Sequence, residues 1–353
     1  MNRALANQVA DAVLYEGYML YPYRPSAIKN RQRWSFGILY PPRYHEVVSG
    51  TERCLMHSEV LLESHGQADV QIQLRFLHLL ARRLAKSVEP SDAQHQAGNF
   101  QPVPSLLVGN DRFESWDEGV ERSVTFGATA LAAPQESVFR FPSSSETELL
   151  RNPAGQLAGV VRRTQHEVTG TVSVTAKELV RGLYKITIDI ANNTPLPRNQ
   201  GDRDSAMLRS LVSAHTIHTA GDGTFVSLLD PPDALREAAA GCGNHGNFPV
   251  LVGTAPERDM LLCSPIILYD YPQIAPESAN AFYDATEMDE MLTLRVLTLT
   301  GEEKDAMRLA DDHVRNLLER TEQGAREQLS RTHGAIRGLR PEGEKLGEAG
   351  DKT

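Results

Sequence analysis

Polar and apolar positions alternate most cleanly over residues 166–193. Val168, Val172 and Val174 lead into Arg181-Gly182, and Tyr184, Ile186, Ile188 and Ile190 then alternate as far as Asn192-Asn193-Thr194-Pro195. A period of two, punctuated by turn residues, predicts a β-hairpin with one buried face. The same period predicts strands at 34–40, at 70–76 with Val70, Ile72, Leu74 and Phe76, around 120–131, at 138–141 and at 292–299. Ser143-Ser144-Ser145 and the polar stretch 85–102 read as connections, and Gly221-Asp222-Gly223 as a hairpin turn. Short apolar runs at 206–218, 225–229, 250–252 and 260–269 add further elements. Periodicity alone does not decide between helix and strand at 206–218.

Helical spacing is confined to the two ends. Leu5, Val9, Val13 and Leu14 predict an opening helix over 3–15. Thr300 followed by Glu303 has the form of a capping box, and Met307, Ala310, Val314, Leu317 and Leu318 continue one stripe. Asp230 before Pro231-Pro232 predicts a further helix start. Strands joined by short turns without intervening helices favour antiparallel pairing. The expected fold is therefore α+β: mostly antiparallel, sandwich-like β structure, with a mixed C-terminal part ending in a long helix. The division expected is a β domain over 1–200, a mixed domain over 201–333, and a Gly-, Glu- and Lys-rich disordered tail over 334–353.

Composition narrows the function classes. The formal charge of −10 disfavours binding to nucleic acid or to an anionic membrane. No apolar run approaches the roughly 18 residues that span a bilayer. The first eleven residues lack the charged and apolar regions of a secretion signal. The three cysteines, Cys54, Cys242 and Cys263, are too few and too scattered for a disulfide framework, so a cytoplasmic protein is expected.

Candidate chemistry is sparse. Cys242-Gly243-Asn244-His245 spaces two potential zinc ligands, whereas a closed site needs four and a catalytic one three. Cys263, His215 and His218 complete the set only if folding gathers them. His215 and His218 share a face on a helix but not on a strand, and their β-branched neighbours favour a strand. Asp284, Glu287, Asp289 and Glu290 suit either a divalent cation or a solvated helix start. The phosphate-loop and G-x-S-x-G signatures are missing. No cofactor is called for, with zinc, nickel or iron kept as the metal alternatives. Two proline-flanked segments, 15–25 and 268–277, concentrate tyrosines of the kind enriched at binding hot spots. The candidate partner contacts are Tyr21, Tyr23, Arg24, Asp270, Tyr271, Glu277, Asp284 and Glu287.

Four segments, residues 10–24, 225–232, 264–278 and 287–300, resemble a bacterial protein family encoded in nickel–iron hydrogenase gene clusters. Members are similar over nearly the whole chain. The resemblance implies a non-catalytic accessory protein that contacts a hydrogenase subunit or maturation factor. It implies no catalytic residue. A metal-dependent enzyme or metal-handling protein and a self-assembling β-sandwich scaffold are the competing expectations.

Overall fold

A computed structural model describes residues 2–18, 34, 36–66, 69–88, 99–128, 134–274, 296–310, 312 and 314–322. The chain opens with helix α1 (Asn2–Tyr15) and the short α2 (Pro42–Val47). Strands β1 (Leu55–Glu63), β2 (Asp69–Ser87), β3 (Phe100–Val103), β4 (Ser105–Val108), β5 (Asp111–Glu114) and β6 (Trp116–Ala128) follow. The middle supplies β7 (Gln135–Phe141), β8 (Ser144–Arg151), β9 (Leu157–Gln165), β10 (Val168–Val180) and β11 (Leu183–Asn192). After α3 (Arg203–Met207) come β12 (Val212–Asp222), β13 (Thr224–Val226), α4 (Arg236–Ala240), β14 (Asn244–His245), β15 (Phe248–Leu251), β16 (Met260–Ser264) and α5 (Gly301–Arg308).

Two antiparallel sheets face each other. The six-stranded sheet runs β13-β1-β11-β10-β7, with β14 also on β1. The eight-stranded sheet runs β15-β16-β12-β2-β9-β8, with β3 and β6 also on β2. Strands from both sides of residue 200 therefore share both sheets. Between them lies the main core, in which Val60, Val172, Ile186, Ile188 and Ile190 meet Ile72, Leu74, Phe76, Leu261 and Cys263. A one-residue slip of β11 would turn its three isoleucines outward, and that burial fixes the register with Thr187 opposite Glu59.

Helices cover the outer face of the eight-stranded sheet. Ala6, Val9, Ala10 and Val13 of α1 pack on Ile217, Val250, Met260 and Leu262. Leu14, Tyr18, Met207, Met307, Val314, Leu317 and Leu318 cover Leu77, Leu79 and Val212. Buried between two layers, β2 is closed to water on both faces from Leu74 to Leu79. Arg75 is tolerated there because Asp11 of α1 and Glu121 of β6 hold its guanidinium at 2.6 and 2.5 Å.

Several sequence expectations are corrected. Among the described residues of 34–40 there is no strand; a single bridge joins Leu39 to Leu211, and φ is positive at Trp34 and Gly37. Ser144 and Ser145 belong to edge strand β8, whose polar pattern reflects exposure of nearly every residue. Asp230 caps no helix, since the first turn begins at Asp233 after Pro232. Gly221–Gly223 connects β12 of one sheet to β13 of the other, so it is not a hairpin turn. Val296 and Leu297 are helical, while residues 292–295 of that expected strand lie outside the described residues.

The expected long C-terminal helix is two helical segments. The capping box of Thr300 and Glu303 starts α5, and residues 314–322 are helical, but the chain turns at Leu309 and Ala310. Arg82 of β2 explains the break, donating from Nη1 to the Leu309 carbonyl at 2.7 Å and satisfying a helix-terminal acceptor.

Candidate functional site

Residues 265–274 follow the strand β16 of the eight-stranded sheet and are held by hydrogen bonds at Asp270 and Tyr271. Asp270 accepts from Ser227 Oγ at 2.5 Å and from the Leu251 N–H at 2.8 Å. Ser227 Oγ in turn accepts from Leu229 N and Asp230 N. Tyr271 donates its N–H to Leu251 O at 2.7 Å and its hydroxyl to Glu257 O at 3.0 Å. Its φ of 54° reverses the chain direction at that point. The result is a fixed loop that points two apolar side chains outward: Ile267 is 76% exposed and Tyr269 is 86% exposed.

Asp270 and Tyr271 thus serve as the anchors of this loop, and the large apolar side chains it exposes are Ile267 and Tyr269. The sequence expectation named Asp270 and Tyr271 of this segment as partner contacts, and the structure gives both an anchoring role. Alternation around the tyrosines carries no information about which side faces the protein. Tyr21, Tyr23, Arg24, Glu277, Asp284 and Glu287 lie outside the described residues. Of the remaining tyrosines in the first segment, Tyr18 is buried, and its hydroxyl accepts from the Gly119 N–H at 2.9 Å.

The metal candidates separate. Cys242 is half-buried beside Leu61, Leu183, Val226 and Ala239, with its thiol against the Ala238 carbonyl. Burial, reinforced by the charge of Glu59, pushes that thiol up to about 11, so it is protonated at neutral pH. His245 is exposed on β14 and meets His57 of β1, its partner in the ladder, with ring centroids 5.8 Å apart. Cys263 lies within the sandwich, where its Sγ is 3.8 Å from His218 Nε2. His215 alternates to the opposite face of β12 and bonds the Ser213 carbonyl at 2.8 Å. The fold does not gather Cys242, His245, Cys263, His215 and His218 at one point. Among the described residues no three His, Cys, Asp or Glu side chains form a metal-holding group.

A polar row instead crosses the outer face of the six-stranded sheet. His57 Nδ1 is 2.6 Å from Asp189 Oδ1 on the neighbouring strand. Two residues along, Glu59 accepts from the Gly243 N–H and from Lys185 Nζ, each at 2.8 Å. Burial opposes the charge on Glu59, but those two donors hold its carboxyl below the usual range. Sequence reasoning missed this row because its members come from three strands more than 50 residues apart. Carboxylates and imidazoles on an open sheet face can bind a cation or a polar group.

No helix among the described residues is long and apolar enough to cross a membrane. Comparison with protein-family models and with curated proteins finds no match, so what this chain does is argued from its own geometry.

Proposed function

We propose that this chain is a non-catalytic accessory protein that binds a protein partner through the loop bearing Ile267 and Tyr269. The observation that supports this reading is the combination of exposure and rigidity: two large apolar side chains stand in water on a backbone already fixed by Asp270 and Tyr271. A preformed loop loses little conformational entropy on binding, and tyrosine is a frequent energetic anchor of interfaces. The resemblance to proteins encoded beside nickel–iron hydrogenases assigns the partner to a hydrogenase subunit or a maturation factor.

The test is co-purification from the native host with the tagged full chain. The wild type is expected to bring down a hydrogenase component, and Ile267→Ala plus Tyr269→Ala to lose it while melting at an unchanged temperature. Retention of the partner by that variant rules out this loop as the contact. Absence of any hydrogenase component from the wild-type eluate rules out the assigned partner.

A second reading has one observation in its favour. The His57–His245 pair, with Asp189 orienting His57, has the carboxylate–histidine arrangement that supports metal ligation. It would hold a metal with His57 in place of Cys242. Zinc that binds the wild type and the Cys242→Ala variant equally, and is lost in His57→Ala, would favour it.

A further inference from the structure

The chain is acidic, and several of its described arginines are paired with carboxylates. Arg75 meets Asp11 and Glu121, Arg140 meets Glu167, Arg163 meets Glu148, and Arg308 meets Asp305 and Glu322. Arg122 of β6 and Arg209, just after α3, are among those that are not, and both are partly or largely buried. No described carboxylate lies within ion-pair distance of either.

Both reach the same end of β9. Arg122 Nη2 donates to Gln165 Oε1 at 2.7 Å, its Nε is buried with no partner among the described residues, and its guanidinium lies 4.9 Å from the centre of the Phe141 ring. Arg209 is 8% exposed; Nη1 donates to Ser205 O at 2.9 Å, and Nη2 stands 3.3 Å from His166 Nδ1. Gln165 and His166 are consecutive, so one dipeptide links the two guanidiniums. His78, fully buried, ties that dipeptide to β2: its Nε2 bonds the His166 carbonyl at 2.8 Å, and its own carbonyl accepts from Gln165 Nε2 at 3.2 Å. The His78 Nδ1 is left without a partner among the described residues.

Two guanidinium charges drawn partly out of water with no facing carboxylate are a costly arrangement. Burial lowers the pKa of both, and Asp202 is the one acidic group that acts on Arg209. His166 is held neutral by burial and by the charge of Arg209, which leaves it free to accept or donate one hydrogen bond. Such forks, fixed by their other hydrogen bonds, match the oxygens of an oxyanion, and a dianion neutralises both.

We propose that Arg122, His166 and Arg209 form a binding site for a phosphate-type dianion. The test is calorimetric titration of the full chain with inorganic phosphate at pH 7.5, against sodium chloride and acetate at matched ionic strength. Saturable binding of phosphate, weaker binding of acetate and none of chloride is expected. Arg122→Gln and Arg209→Gln should each weaken phosphate binding by about tenfold or more, because each removes a charge-assisted fork. Arg140→Gln, which removes an exposed and already paired arginine, should leave it unchanged. Arg122 is only partly buried, so its variant reports on binding even if Arg209→Gln does not fold. Absence of saturable phosphate binding, acetate binding as tight as phosphate, or undiminished binding by Arg122→Gln overturns the proposal.

Discussion

Gly170 of β10 has no room for a side chain: an added Cβ would meet the Phe139 ring and the Ala191 carbonyl. Gly127 of β6 has nothing within 4 Å of the same position. Gly170→Ala is therefore expected to cost about 1–3 kcal/mol through forced displacement of its neighbours, and Gly127→Ala to be near neutral. Urea midpoints of the two variants check this, and similar midpoints would contradict the packing described between β10 and β7. Histidines set the acid limit at the same scale. Burial pushes His215 and His218 down to about 3 and His78 to about 4, so all three are neutral in the fold. In the unfolded chain they protonate near their ordinary value of about 6.5, so between there and pH 3–4 the unfolded state binds more protons. Stability should be level between about pH 7 and pH 8 and fall as the pH drops through 6.5, before the carboxylates begin to titrate. A urea midpoint unchanged from pH 8 to pH 5 would show that these imidazoles are not buried.

At the scale of elements, what the sequence revealed depended on how many faces each one buries. The β10–β11 hairpin was legible because one face meets the core and the other meets water, giving strict alternation. Only the first third of β2 was legible, because the middle is buried on both faces and loses its period. β8 was hidden by the opposite cause, having almost no buried face. At the candidate site the proline-bounded tyrosine segment was visible in the sequence, but the hydrogen bonds that fix Asp270 and Tyr271 to Ser227, Leu251 and Glu257 join distant positions, which no spacing encodes. The capping box was legible because it is a local hydrogen-bond exchange: the Glu303 N–H donates to Thr300 Oγ1, and the Glu303 carboxylate accepts from the Thr300 N–H. Thr300→Ala is expected to cost about 0.5–2 kcal/mol. The loss should appear as faster hydrogen exchange in Gly301–Arg308, with β10 and β11 unaffected. Uniform acceleration across both would mean that α5 is not a locally stabilised element.

For the whole molecule, β1 and β2 are shared scaffolds. β1 pairs with β11, β13 and β14, and β2 pairs with β3, β6, β9 and β12. Strands that follow residue 200 complete both sheets, so the described part is expected to unfold in one cooperative transition. A chain ending at residue 200 would expose the edges of β1 and β2 that β13 and β12 cover. It is expected to be unfolded or aggregated by circular dichroism and light scattering, and a soluble, cooperatively melting fragment would contradict this. The wiring of β1 also has a consequence for synthesis. Its first partner, β11, begins at Leu183 and its last, β14, ends at His245. At roughly 5–20 residues per second, about 10–35 s pass between completion of β1 and delivery of its last partner. Throughout that interval a ribosome carries a half-made sandwich with its apolar inner strand open, so output of this protein should depend on the chaperones that shield nascent chains.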